Sequence, residues 1–273
     1  MGADIKTLRN RIKSVTSTLH LTKAMGLVAS SKIRRASEAM MKGRQYEAAF
    51  RNAVEMLCDS SECERSPFMQ KRDGGKTRLI VIAGDRGLAG GYNANVFRLV
   101  KELCTQYADT EIIPIGKRAF DKYHGERLYY AESFTCENAT AVSTELCESF
   151  AKGEFDRLGI VCTKYVSMMT QEAQVKWVLP LERSEKSKEA RSILFEPDEI
   201  TVLNSVIPEY VSGILAGSVR ESFASEVASR RCAMDSAGKN AQEMIDNLSL
   251  AYNRARQGAI TQEITEIVAG SGD

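Results

Sequence analysis

Residues 4 to 57 and roughly 208 to 268 each read as one uninterrupted helix, and no other feature limits the possible folds of this chain as severely. At about 1.5 Å of rise per residue, such helices reach on the order of 80 to 95 Å, well past the diameter of a small domain. Neither can be clad by a compact core of its own. Isolated helices of this kind, poor in aromatic side chains, fray, so each must take most of its stability from packing against the other. A pair of that length is a rod suited to projecting into a partner.

The apolar pattern supports this pairing. Ile5, Ile12, Leu19, Gly26, Ile33 and Met40 recur every seven residues, with Leu8, Val15, Thr22, Ala29, Ala36 and Gly43 as the companion set. Almost six heptads of apolar or small side chains make a coiled-coil seam. From Thr22 to Ala29 the side chains are small enough for another backbone to come close. The C-terminal stretch repeats the theme with Val227, Met234, Ala241, Leu248 and Ala255, accompanied by Ala237, Met244, Ala251 and Gly258. Ile245, Ile260, Ile264 and Ile267 widen its apolar stripe for a second contact. Pro208 is a reasonable first-turn residue and Gly270-Ser271-Gly272 a stop, so the helix is expected to start near 208.

The segment between the rods alternates strand and helix. Strands are expected at Leu79 to Ala83, Glu111 to Ile115, Leu158 to Cys162, Gln174 to Leu179 and Ser192 to Phe195, and helices at about 94–107 and 141–152. That order predicts a doubly wound, Rossmann-like α/β sheet. The expected organisation is an N-terminal coiled-coil helix (1–59), a polar linker (60–76) with Pro67 and Gly74-Gly75, a central α/β domain (77–205) and a C-terminal coiled-coil helix (206–273). The polar tract Glu182 to Arg191 reads as a solvent loop.

With 43% hydrophobic and 27% charged residues, the composition argues against disorder. No run approaching the roughly 18 apolar residues of a membrane span is evident, and the N-terminus lacks the apolar core of a signal peptide, so the chain is not expected to enter a membrane or be exported. Seven scattered cysteines without CxxC fit reduced thiols, although Cys58 and Cys63 are near enough in sequence to pair. The net charge of +1 hides a basic N-terminal stretch, where residues 1 to 51 carry eleven Lys and Arg against Asp4, Glu38 and Glu47. A basic helix fits an acidic partner such as nucleic acid, anionic lipid or an acidic protein loop; a plain solvated face is the alternative.

Catalytic chemistry finds little support. Gly84-Asp85-Arg86-Gly87-Leu88-Ala89-Gly90-Gly91-Tyr92-Asn93 follows the first strand, where a nucleotide fingerprint would sit, but it is neither GxGxxG nor GxxxxGK[ST]. A tight strand-to-helix turn packed against the long helices is the stronger reading. His20 and His124 stand in contexts that suggest no triad or metal site, and Glu62 and Glu64 flank Cys63 in the linker. Asp85 at a strand end is the one carboxylate in a typical catalytic position, with an ion pair to Arg86 as its structural alternative. Polar residues crowd the far C-terminal helix at Arg254, Arg256, Gln257, Thr261, Gln262 and Glu263, a pattern that solvation alone would also explain.

Three segments carry a resemblance. Leu21-Thr22-Lys23-Ala24-Met25-Gly26-Leu27-Val28-Ala29-Ser30-Ser31-Lys32, the DRGL turn at 85–88 with its glycines and asparagine, and Ala228 to Met234 through Asn253 to Ile264 resemble, in order, the signatures of the gamma subunit of F-type ATP synthases. The resemblance spans almost the whole chain. It implies a non-catalytic rotor shaft, without cofactor or metal, that couples transmembrane proton flow to ATP synthesis or hydrolysis on beta subunits. The implied partners are one alpha3beta3 hexamer per chain, the epsilon subunit and the membrane c-ring, with no nucleic acid and no membrane insertion. The implied location is the cytoplasmic face of the cell membrane, as a peripheral subunit of the bacterial type. Carried over by position, contacts with the beta lever fall at Lys23, Met25, Lys32, Arg34 and Arg35, and the catch near the top of the shaft at Arg254, Arg256, Gln257, Thr261 and Glu263. Met25→Lys is then expected to impair coupling more than Met40→Lys. The chain departs from the family at Gly26, Ala89 and Gly258, where glutamate, cysteine and alanine are usual, and each helical glycine costs about 1 kcal/mol of propensity against alanine.

A coiled-coil nucleic-acid adaptor and a nucleotide-dependent oxidoreductase are the competing classes. The first would show steep salt dependence of binding, and the second cofactor absorbance or nucleotide-induced thermal stabilisation.

Overall fold

The computed structural model describes residues 2–72, 74–183 and 195–270, with side chains from Ile5 onward. The chain forms two compact units, residues 1–30 with 230–273, and residues 31–229. Two helices run through both, α1 (Gly2–Cys58) and α5 (Glu199–Gly270).

In the larger unit, β1 (Thr77–Ile82) leads to α2 (Tyr92–Gln106), β2 (Thr110–Ile115), α3 (Lys117–Tyr123), α4 (Cys136–Ala151), β3 (Arg157–Tyr165) and β4 (Gln171–Leu179). The strands lie in the order β2-β1-β3-β4. β1 is parallel to both neighbours, while β4 returns antiparallel beside β3. The five-residue connection from Tyr165 to Gln171 explains that reversal, since a parallel return needs a dozen residues or more.

Alternation along β1 builds a core on each face. Leu79, Val81 and Ala83 meet Val96, Val100 and Leu103 of α2 and Ala119 of α3. Ile80 and Ile82 meet Leu146 and Phe150 of α4, Val54 and Leu57 of α1, and Leu203 and Ile207 of α5. The doubly wound reading therefore holds, with helices of both rods supplying part of one layer. α3 was not anticipated: it is one short segment following Gly116, whose φ of +91° lets the chain turn beneath the Ala83 carbonyl. The stretch expected to be a linker carries a 3-10 turn (Cys63–Arg65), and Cys63, Ser66 and Phe68 are buried in it. Residues 192–194 of the strand expected at Ser192 to Phe195, and residues 184–191 of the polar tract, fall outside the described residues, while Phe195 is described and lies in no strand.

The start of α5 corrects the sequence reading. Pro208 lies inside the helix, nine residues after Glu199. The start is set by Asp198, whose carboxylate accepts from the Thr201 N–H (2.9 Å) and hydroxyl (2.8 Å). Burial of Leu203 and Ile207 holds the first turns despite the missing proline N–H. A window of 18 residues in α5 also reaches a mean hydropathy of 1.2, enough by length and composition to span a bilayer, so the expectation that no such run exists does not stand. Leu203, Val211 and Leu215 show where that apolarity goes, since all three are buried within the protein.

In the smaller unit, α1 and α5 pack antiparallel. Gly26 faces Met234, and Gly238 faces Thr22 and Leu19, with distances of 3.6 to 4.0 Å from where a Cβ would stand. The α1 seam is the expected one: Ile5, Leu8, Ile12, Val15, Leu19, Thr22, Gly26 and Ala29 are its inward positions. On α5, Met234, Ala241, Leu248 and Ala255 are inward as expected, but the companion set is displaced by one residue. Gly238, Ile245, Tyr252 and Ala259 are the covered positions, whereas Met244, Ala251 and Gly258 are exposed. Gly238 is the smallest residue available there, and the close approach of α1 selects it.

Candidate partner-binding surfaces

The outward face of α1 in the smaller unit is unusually apolar for a surface helix. Leu21 and Val28, seven residues apart, are 60% and 58% exposed, and half-buried Met25 lies between them on the same face. Leu27 is 72% exposed on the neighbouring face, beside a groove of about 440 Å³ lined by Lys23, Gly26, Met234 and Gly238. Lys23 is exposed at that rim, and Asp235 across the groove pairs with Lys239 at 2.9 Å. That hydrogen bond holds the Asp235 carboxyl below the usual carboxylate range.

Arg254, Arg256, Gln257, Thr261 and Glu263 are all exposed on α5 of the same unit. The Thr261 hydroxyl donates to the Gln257 carbonyl at 2.9 Å, so it is partly occupied within its own helix. Lys23 lies level with residues near Gly238, and Arg254 is sixteen residues further on, about 24 Å along the helix. The two groups of contact candidates therefore form separate surfaces. Beyond Ala259 every described residue is exposed, Ile260, Ile264, Ile267 and Val268 among them. On the antiparallel register these residues lie past the first residue of α1, and their apolar spacing leaves an uncovered stripe.

Lys32, Arg34 and Arg35 belong to the larger unit. Arg34 and Arg35 are exposed, whereas Lys32 is already paired with Glu132. Glu132 is held by Asp85, whose carboxylate accepts the backbone N–H groups of Lys117 (3.1 Å), Ala131 (3.0 Å) and Glu132 (2.9 Å). Asp85 therefore has neither a catalytic setting nor the ion pair to Arg86 that sequence suggested. It ties the glycine turn to the start of α3 and to the loop at Ala131 and Glu132. The same turn packs on α5, as the Ser229 hydroxyl donates to the Ala89 carbonyl at 2.7 Å, and a Cβ at Gly84 would press on Glu226 at 2.7 Å. This is the packing turn expected from the spacing.

The sequence model of the ATP synthase family matches residues 4–272. A gamma chain described as sodium ion specific, from Acetobacterium woodii, is 41% identical over 99% of both chains. The gamma chain of Ruminococcus albus is 42% identical over 98% of both. This chain belongs to the ATP synthase gamma-chain family. Its fold is also that of a chain in the Euglena gracilis mitochondrial ATP synthase, at 18% identity with a TM-score of 0.69 over 99% of this chain and 94% of that one. A chain of the rotor from the same source aligns with a TM-score of 0.66 at 17% identity, covering 95% of this chain and all of that one.

For a gamma chain, sequence reasoning found the exposed cations but missed two features. Leu21, Met25 and Val28 form an outward stripe beside the inward seam, visible in the sequence only once the seam's face is fixed. A second miss is a polar face of α5, where Glu221, Ser222 and Ser225 are buried against the sheet. The alanine-rich periodicity drew attention to the opposite property.

Proposed function

We propose that this chain is the central rotor shaft of an F1Fo ATP synthase, non-catalytic itself, coupling transmembrane proton flow to ATP synthesis or hydrolysis on the beta subunits. The observation that carries the reading is the antiparallel pair of α1 and α5 in the smaller unit, which turns its seam inward and leaves an apolar, cation-flanked outer surface that differs from side to side. An asymmetric shaft cannot touch three chemically identical beta subunits alike, so each is held in a different affinity state. Moving a site from 1:99 to 99:1 between two conformations takes about 5.5 kcal/mol of differential contact, more than any one exposed pair supplies, so the contacts must be distributed. By linkage, hydrolysis in the hexamer pushes back on the shaft.

In this reading the alpha3beta3 hexamer takes the smaller unit, with Lys23 and Met25 against the beta lever, and also Arg34 and Arg35 on the first turns of α1 within the larger unit. Lys32 contributes only by exchanging Glu132 for an acidic partner. Arg254, Arg256, Gln257, Thr261 and Glu263 meet the hexamer further along α5. The epsilon subunit and the c-ring take the larger unit, in a membrane-associated complex on the cytoplasmic face of a bacterial membrane. The coupling ion is selected in the ring, so the sodium named for the Acetobacterium woodii relative is compatible with the same shaft. Reconstitution of the membrane complex with and without this chain tests the reading. ATP-driven ion uptake into vesicles is expected only when the chain is present, and uptake unaffected by its omission would overturn the assignment.

A further inference from the structure

In the larger unit, five charged side chains from three elements meet where α1 and α5 cross the sheet. Glu221 of α5 has a side chain only 8% exposed and accepts from Arg44 of α1 at 2.6 Å. The same carboxylate accepts the backbone N–H of Tyr165 at the end of β3 (3.2 Å), and Arg44 donates to the Tyr165 carbonyl (3.1 Å). Lys176 of β4 lies 3.5 Å from Glu221 and 3.7 Å from Glu47 of α1, bridging the two carboxylates. Glu47 is completed by Arg51 at 2.7 Å, and it reaches α5 because residue 217 is glycine, where a Cβ would stand 2.9 Å from its Oε2.

The cluster continues as hydrogen bonds along one face of α5. Ser222 Oγ accepts from the Thr163 N–H at 3.0 Å and Ser225 Oγ donates to the Thr163 carbonyl at 3.2 Å, both in the buried interior of β3. Stability does not explain why charges should occupy this place. Removing ions from water offsets most of their attraction, and well-packed apolar residues at such sites are generally as stable or more so. Apolar contact, however, is non-directional, and a helix seated only by it can slip or turn with little change in buried area. Charge-assisted hydrogen bonds fix both angle and register.

We propose that Glu221, Lys176 and Glu47, with Arg44, are positioning residues that form an anti-slip joint, locking α1 and α5 to the sheet so that neither turns on it under torque. The proposal rests on the rotor reading, because a chain that transmits no torque has no use for such a joint. α1 and α5 both continue beyond this unit, so they are the elements through which torque applied to the α/β body leaves it.

The test uses the complete complex in sealed vesicles, reading ATP hydrolysed and ions taken up in the same preparation, with thermal melting of the complex alongside. The triple variant Glu47→Met, Lys176→Met, Glu221→Met is expected to melt as the wild type does and to retain hydrolysis, while ions moved per ATP fall at least about twofold. Lys176→Arg, which keeps the bridging charge, is expected to retain the wild-type ratio. An unchanged ratio in the triple variant overturns the joint. Where the triple variant does not assemble, Lys176→Met carries the same test, and a wild-type ratio there overturns it equally. A preparation lacking the chain altogether separates the two ideas. If omission leaves uptake intact the rotor reading itself fails, whereas if omission abolishes uptake and the charge variants pump normally, only the joint fails.

Discussion

At the scale of single residues, the tightest constraints sit where the backbone passes close to itself. Gly116 combines a φ of +91° with a position whose Cβ would overlap the Ala83 carbonyl oxygen. Gly116→Ala is therefore expected to destabilise the fold by roughly 3 kcal/mol or more, read as a lower midpoint in urea. The cysteines differ from one another in the same local way. Burial pushes the Cys58 and Cys147 thiols up to about 12 and Cys162 up to about 11, while Cys136 is exposed. A thiol-specific reagent at neutral pH should label Cys136 of the native chain first. Cys58, Cys147 and Cys162 should follow only on unfolding, because the thiolate is the reacting form. Mass-resolved labelling with and without denaturant checks that order.

At the scale of elements, the two long helices obey different rules along their length. In the smaller unit the seam uses small residues, and a Cβ at Gly26 would meet Met234 Cβ at 3.7 Å, an ordinary contact. Gly26→Ala should thus raise stability by up to about 1 kcal/mol through helix propensity, seen as a higher melting temperature. The packing does not require a glycine at that position. The start of α5 depends on an ionised cap. Hydrogen bonds from the Thr201 backbone and hydroxyl hold the Asp198 carboxyl below its usual range, so the folded pKa is the lower one. The cap's contribution is then full above the unfolded carboxylate pKa and fades as pH falls through the folded value. Wild type and Asp198→Asn should converge in melting temperature as pH drops from about 4 towards 2.

At the scale of the whole molecule, the coupling comparison suggested by sequence needs a different control. Met40 is buried with Ala36 and Ala224, so Met40→Lys would place a cation in a core and report on folding. Met41 is 57% exposed on the same helix and is the proper reference. Met25→Lys should reduce ATP-driven ion uptake severalfold in the assembled complex, while Met41→Lys leaves it near the wild-type level. Equal uptake by the two variants would move the beta contact away from Leu21, Met25 and Val28.

Periodicity alone was enough to find both rods, the α1 seam and the alternating α/β order, because each repeats one local rule over many residues and the errors average out. The three family segments added the role of the chain, since their order along the sequence survives without coordinates. What the sequence could not specify were choices made by contact at a distance. The companion seam of α5 moved by one residue because α1 approaches at Gly238, and the turns of α5 ahead of Pro208 hold because Leu203 and Ile207 are buried in the core. Asp85 serves three distant N–H groups rather than its neighbour Arg86, and Glu221 finds Arg44, 177 residues away. Such pairings depend on which surfaces meet after folding. Only the tertiary structure decides that, because burial and directional bonding act across space and leave no period in the chain.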